Sequence, residues 1–240
     1  MSLSQIAFEA LIIGPQPTAK NHAVAHKPFL DAARQAASVH QSAAEMSSAP
    51  GYLREIRHEA IMLLTCHSFN LFIDLLGSVF DGRFDTAAYL ARPFLDSSAL
   101  LIGAGRDNHV ANRMLSGVEV KASVFRKDAV ARRREWDPET ADEVDRIFRE
   151  DAVAANTLSH INATQLSKLI GLPRLGSRVA TLGGRVDLEE ALAMLRVAGY
   201  CELQALLALR EVGEFGNRWD DRCERALKAI MAWSQSEGTA

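Results

Sequence analysis

The chain has 240 residues, of which 48% are hydrophobic and 24% are charged. This composition is too apolar for a disordered chain, and the length suffices to bury a large core without disulfide or metal staples. The net charge of -3, with a pI near 6.2, argues against bulk electrostatic binding to nucleic acid or to anionic membranes. Three cysteines without a CxxC pair indicate neither a disulfide framework nor a zinc cluster, and we expect no metal or other cofactor. We expect a cytoplasmic protein, because no secretion signal is visible.

The hydrophobic pattern is helical almost throughout, with glycine and proline falling mainly between the periodic segments. The predicted helices are Leu3–Ile13, Pro28–Met46, Tyr52–Phe80, Thr86–Ala104, Asn108–Trp136, Pro138–His160, a helix capped by Asp187 that ends near Gly213, and Trp219–Ser236. A connector with prolines and histidines precedes Pro28, and Leu172–Val186 is predicted as a long loop or small hairpin. Asp85 should cap the fourth helix, Pro93 should bend it, and Gly103-Ala104-Gly105 should end it.

These elements predict one all-α domain, a single helical bundle of about seven to nine helices. Residues 1–51 would form an N-terminal helical arm packed on the main bundle of residues 52–240. An alternative leaves the arm before Tyr52 loosely attached.

The segment Ala60–Phe80 is long and apolar enough to raise the question of a membrane span. It carries His67, Asn70 and Asp74, and a carboxylate near the centre of a bilayer costs about 2.5–3.5 kcal/mol. We therefore expect the central helix of a soluble bundle, with Cys66 as a buried thiol and His67 as a hydrogen-bonded core residue. No other stretch approaches the length of a span, and no contact with a membrane is expected.

Charge is segregated in the middle of the chain. Arg113–Arg134 contains seven basic residues, and Glu135–Asp151 contains eight acidic ones. An antiparallel helical hairpin whose arms attract each other, or simply two solvated helix faces, explains this pattern best. The functional alternative makes Arg126–Arg134 a site for phosphates or for an acidic partner.

Complete catalytic motifs are missing. The sequence contains no phosphate-binding glycine loop and no nucleophile elbow, and it does not have the Glu-x-x-His motif on two helices that a di-iron site needs. His22 and His26 have the i, i+4 spacing of two metal ligands, but no third ligand is near them. We therefore favour an exposed connector over a metal site at these two histidines.

Two polar pairs share a helix face and are the remaining candidates for a site. Asn156 and His160 lie near the end of one predicted helix, and Arg92 and Asp96 lie around Pro93. Arginine ahead of aspartate is the less favourable order for a local pair, so Arg92 and Asp96 are expected to serve tertiary partners. A structural polar network that fixes helix register is the simpler explanation of both pairs.

The stretch Ala87–Asp96 resembles the small-small-x-Leu-x-Arg-x-Leu-x-Glu helix of bacterial helical proteins related to the AbiV and HEPN group, with Asp96 in place of the usual glutamate. Leu158–Asn162 resembles the end of a later helix in these proteins. Active members of the group cleave RNA with an arginine, a polar residue and a histidine. The resemblance implies that Asn156 and His160 fill the last two positions, while Ala155 stands where the arginine is expected. Our hypothesis for the missing cation is that Arg92, on another helix, or a partner chain supplies it.

Because the arginine is missing, our leading hypothesis is a non-enzymatic or ligand-sensing helical protein with a degenerate HEPN-like core. It would act through a protein partner or as a homodimer, in a bacterial defence or stress module. The first alternative is a metal-independent ribonuclease with catalytic residues His160, Asn156, Arg92 and Asp96, for which RNA is the partner. The second alternative is a DNA-binding regulator, which the charge of the chain disfavours.

Overall fold

The computed structural model of the chain describes residues 5–15, 17–125, 131 and 187–236, and the regular structure in these ranges is helical throughout. The eight helices are α1 (Gln5–Ile12), α2 (Pro17–Ala25), α3 (Lys27–Ser47), α4 (Ile56–Phe80), α5 (Phe84–Arg106), α6 (Asn108–Leu115), α7 (Leu188–Val212) and α8 (Asn217–Ser236). They pack into an all-α bundle, which confirms the predicted fold class.

Helix α4 lies at the centre of the bundle and contacts α1, α2, α3, α5, α6 and α7. It forms an antiparallel hairpin with α5 through the short turn at Asp81–Arg83, where Gly82 has a φ of 71°. This backbone conformation suits glycine because other residues clash with their own Cβ atom there. The long helix α7 packs against α5 and α4, and α8 lies mainly against α3.

Polar side chains begin three of the helices. His58 Nδ1 accepts hydrogen bonds from the backbone N–H groups of Arg54 and Glu55 at the start of α4, each at 3.3 Å. Asp107 accepts from the N–H of His109 at 2.7 Å and begins α6. Asp187 accepts from the N–H of Glu190 at 2.9 Å, which confirms the predicted cap of α7.

Three predictions about the elements are wrong. The predicted connector before Pro28 contains a helix, α2, whose residue His22 is buried. The helix predicted over Asn108–Trp136 ends at Leu115, because the chain turns at Gly117 with a φ of 74°. Asp85 lies in the first turn of α5 and does not cap it, because the helix begins at Phe84.

The predicted end of α5 is also explained differently. Gly103 and Gly105 lie inside the helix, which continues to Arg106. A Cβ atom at Gly103 would lie 2.7 Å from the ring of Phe125, and one at Gly105 would lie 2.6 Å from Cβ of Val212. The two glycines therefore permit close packing on the backbone of α5 rather than stopping the helix.

Among the residues that the structure describes, the core consists of two apolar clusters. One contains the C-terminal half of α4 and the N-terminal half of α5, and the other contains the opposite halves of these two helices. Buried polar residues separate the clusters along both helices: Thr65 and Ser68 on α4, and Ser97 and Ser98 on α5. A polar layer therefore crosses the middle of the bundle. A buried histidine and a buried glutamate lie next to it.

Candidate functional site

A histidine–glutamate pair lies at this polar layer, between α3 and α7. His40 Nδ1 lies 3.3 Å from Glu202 Oε1 and 3.2 Å from Oε2, and both side chains are completely buried. The ring of Phe69 on α4 packs against the His40 ring in an edge-to-face arrangement with centroids 5.9 Å apart. Three helices therefore enclose the imidazole and fix its orientation.

The chemistry of the two partners determines which atom is the hydrogen-bond donor in this contact. An ionised carboxylate can only accept, so the donor in this contact is the Nδ1–H group of His40 and the acceptor is the carboxylate of Glu202. The other ring nitrogen, Nε2, is buried and has no hydrogen-bond partner among the described residues. A buried ionisable pair stabilises less than well-packed apolar residues would, while the loss of one partner is costly. The pair is therefore suited to specifying how α3 and α7 pack.

Other polar contacts of the core connect further helices. Ser68 Oγ on α4 and Ser97 Oγ on α5 lie 2.7 Å apart in a hydrogen bond. Trp219 Nε1 on α8 donates to the carbonyl oxygen of Val39 on α3 at 3.1 Å. The first bond joins the two helices of the α4–α5 hairpin, and the second joins helices that are 180 residues apart in sequence, so the buried polar side chains help to specify the tertiary arrangement.

The predicted site residues Arg92 and Asp96 bond to each other. Arg92 Nε donates to Asp96 Oδ2 at 2.9 Å, one turn along α5, and both side chains are about one-third exposed. The structure forms this local pair although arginine ahead of aspartate is the less favourable order, and the expectation that the two charges serve tertiary partners stays a prediction. The other two predicted residues, Asn156 and His160, lie outside the described residues, as does most of the charged stretch Arg126–Asp151.

The two histidines of the predicted connector lie at the junction of α2 and α3. His22 Nδ1 is 3.0 Å from the carbonyl oxygen of Phe80, the last residue of α4, and the side chain is completely buried. The rings of His22 and His26 are 6.5 Å apart, and the Phe84 ring lies 5.8 Å from His22. The expectation of an exposed connector is therefore wrong for His22, which satisfies a carbonyl at a helix C-terminus.

The prediction for Cys66 and His67 also needs correction. His67 is exposed and lies on the solvent-facing stripe of α4 with Asn70 and Asp74, while Cys66 is partly exposed. Burial raises the pKa of the Cys66 thiol. Neighbouring positions of a helix point in different directions, so this thiol and this imidazole do not form a catalytic pair.

A polar network joins the starts of α4 and α6 to the turn between α7 and α8. Arg57 donates to Glu55 at 3.0 Å and to Glu214 at 3.1 Å, and Asn108 donates to Glu55 at 3.1 Å. The hydrogen bonds from Asn108 and Arg57 lower the pKa of the Glu55 carboxyl. Next to this network, burial and the charge of Glu214 raise the pKa of Tyr52 to about 12.

Within the described ranges, no three or more histidine, cysteine, aspartate or glutamate side chains are placed to hold one metal ion. Two described helices, α4 and α7, are long and apolar enough to cross a membrane by length and composition. The expectation that no stretch other than Ala60–Phe80 approaches the length of a span is therefore wrong for α7. In the most apolar 18-residue stretch of each helix, 50% of the residues of α4 and 56% of those of α7 are buried inside the protein. Core helices of soluble proteins pass the same test of length and composition. The cellular location stays a prediction.

The predicted relationship to the AbiV and HEPN group also stays a prediction. Comparison of the chain with protein-family models, with curated proteins and with solved structures found no match.

Proposed function

We propose that this chain is a non-enzymatic helical protein that acts through protein contacts, and that its α1 helix pairs with α1 of a second copy. The observation that carries this proposal is that α1 is apolar on two opposite faces. Phe8 and Ile12 anchor one face in the core, while Ile6 is 82% exposed and Leu11 is 52% exposed on the other. Large aliphatic side chains grouped on one exposed helix face are typical of interaction surfaces.

The exposed face of α1 suits a second copy of the same helix. It consists of Ile6, Ala7, Ala10 and Leu11, in the order large, small, small, large. An antiparallel pair about a twofold axis would place Ile6 against Leu11 of the second copy, and Ala7 against its Ala10. The face carries no charge, so the pairing brings no like charges together, and the two alanines allow the helices to approach closely.

The small size of this face indicates a weak, concentration-dependent dimer. Burying Ile6 and Leu11 of both copies would contribute about 6–12 kcal/mol at 1.5–3 kcal/mol per side chain. Association itself costs about 4–15 kcal/mol, so little net affinity remains. We therefore expect a dissociation constant in the micromolar to millimolar range rather than an obligate dimer.

The buried histidines support a non-enzymatic protein. His22 donates to the end of α4, His40 donates to Glu202, and His58 accepts the backbone N–H groups at the start of α4. Each of the three ring Nδ1 atoms is used to hold helices in place, which is a structural role.

Sedimentation analysis of the full chain over a range of concentrations tests the proposal. We expect a concentration-dependent increase in mass for the wild type, and a monomer at every concentration for Ile6→Glu and Leu11→Glu. Leu63→Glu is the matched control, because Leu63 is similarly exposed but lies on α4; this variant should associate like the wild type. A wild type that is monomeric up to millimolar concentration, or α1 variants that associate unchanged, would contradict the proposal.

A further inference from the structure

We propose that His58 is an acid-sensitive switch, in which a second proton on its imidazole releases the connection between α3 and α4 (residues 48–55) from the rest of the bundle. The inference is independent of the proposed α1 contact. It depends on the hydrogen bonds of the ring, on its burial with only 6% of the residue exposed, and on the aromatic contacts of the connection.

The hydrogen bonds of His58 require a neutral ring. Nδ1 accepts from the backbone N–H groups of Arg54 and Glu55, each at 3.3 Å. This atom therefore has no hydrogen, and the single proton of the neutral ring lies on Nε2. His58 thereby fills the third position of a capping box, whose side chain reaches back to the backbone N–H before the helix. The Arg54 N–H is shared with the Tyr52 carbonyl oxygen at 2.8 Å, so the bond from Glu55 depends most on the ring.

A second proton can bind only one atom of this ring. It must take the lone pair of Nδ1, where the new N–H would face two backbone N–H groups and end both hydrogen bonds. A cation is also unfavourable at a helix N-terminus. The Nδ1 atoms of His22 and His40 donate instead, so a second proton would bind their Nε2 and leave those bonds in place. Of the three buried histidines that the structure describes, His58 is therefore the one whose hydrogen bonds protonation removes.

Charged and titratable groups lie next to this ring. A free imidazole takes up its second proton near a pH of about 6.5. Hydrogen bonds from Asn108 and Arg57 lower the pKa of the Glu55 carboxyl, which stays ionised there and attracts a cationic ring, whereas Arg57 repels one. Burial, followed by the charge of Glu214, raises the pKa of Tyr52 to about 12, so this phenol stays neutral. The Glu214 carboxylate, on the turn between α7 and α8, is bound by Arg57 at 3.1 Å.

Aromatic contacts attach the connection to the bundle through the same imidazole. Tyr52 is half-buried, while the other residues of the connection are exposed. The centroid of its ring lies 4.8 Å from that of His58 and 5.5 Å from that of Phe215, on the turn between α7 and α8. The Tyr52 ring and the Glu55 N–H therefore both contact His58. Because a charged imidazole ends the hydrogen bonds and attracts water into this contact, the connection opens in acid while the core stays packed.

Hydrogen exchange of the backbone amides, measured by mass spectrometry at pH 5.5 and 7.5, tests this proposal on the full-length wild type, His58→Gln and His109→Gln. Glutamine supplies the acceptor of a capping box but does not titrate. The proteins are compared with each other at one pH, so the chemical exchange rates cancel. At pH 5.5, residues 48–58 should exchange about tenfold faster in the wild type than in His58→Gln, and equally at pH 7.5. His109→Gln, which replaces an exposed histidine of α6, should behave like the wild type.

Equal exchange in the wild type and His58→Gln at pH 5.5 would overturn the proposal. Equal acceleration throughout α5 and α7 would also overturn it, because the change would then be global unfolding. ¹⁵N NMR of the His58 ring gives a test on the wild type alone, which decides if glutamine fails to replace the ring at pH 7.5. Nδ1 should be unprotonated at pH 7.5, and its titration should have the same midpoint as the change in exchange. A protonated Nδ1 at pH 7.5, or titration without faster exchange, would contradict the switch.

Discussion

His40 Nδ1 lies 3.2 Å from Glu202 Oε2, in a contact that joins α3 to α7 across 162 residues of sequence with both side chains completely buried. Glu202 also lies close enough to Cys223 on α8 that its charge raises the pKa of that thiol, although burial is the larger cause. The pair therefore joins α3 to α7, and the charge of Glu202 is felt at the neighbouring helix α8.

The first prediction concerns this pair. His40→Leu and Glu202→Met should each destabilise the protein by about 3–5 kcal/mol. Each substitution leaves the other side chain of the pair buried without its hydrogen-bonding partner. The double variant should be more stable than either single variant, since two apolar side chains of similar size replace the buried polar pair. Urea unfolding of all four proteins measures this difference. Additive losses in the double variant would mean that the two side chains act independently.

The second prediction concerns the three thiols. Burial raises the pKa of Cys223 to about 12 and also raises that of the partly exposed Cys66, while Cys201 is buried with Sγ 3.8 Å from the carbonyl oxygen of Ala91. Because the thiolate is the reactive form, Cys66 should react slowly with an aromatic disulfide reagent at pH 8, and the two buried thiols should react only on unfolding. Cys66→Ser should remove the slow phase. Three equal rates in the folded protein would contradict this assignment.

The third prediction concerns acid stability. The hydrogen bonds of Asn108 and Arg57 lower the pKa of Glu55 in the folded state, so its unfolded value is the higher one. The contribution of Glu55 is therefore complete above its unfolded pKa, which is about 4.3, and is lost as the pH falls through the folded pKa. Glu55→Gln should lower the Tm at pH 7 and flatten its decline below about pH 5. Glu119→Gln, an exposed glutamate outside the network, should leave the slope unchanged.

Much of the fold could be predicted from the sequence because the long helices have regular apolar faces. The predicted end of α4 at Phe80 and the predicted cap of α7 at Asp187 agree with the structure. Helix α2 could not be predicted in this way, because its sequence PTAKNHAVA has almost no apolar face. Tertiary contacts hold it in place, namely the bond of His22 to the end of α4 and the burial of Ala19 in the core.

The candidate site was harder to predict for the same reason. His40 and Glu202 belong to no motif, and each alone resembles an ordinary polar residue of a helix. One signal was present, since each lies among alanines and other apolar residues that face the core: Ala36, Ala37 and Ala43 around His40, and Cys201, Ala205 and Leu206 around Glu202. A charged side chain at a core position predicts a buried partner, but only the structure identifies the partner.

The last prediction separates the proposed function from the ribonuclease alternative. If the chain is non-enzymatic, cellular RNA should be equally intact after expression of the wild type and of His160→Ala. His109→Ala serves as the control for replacing an exposed histidine, and circular dichroism of the purified proteins should show that all three are folded. RNA fragments that appear with the wild type and His109→Ala, but not with His160→Ala, would show instead that His160 takes part in cleavage. Arg92→Ala would then test whether Arg92, which bonds to Asp96, provides the cation that the phosphate requires.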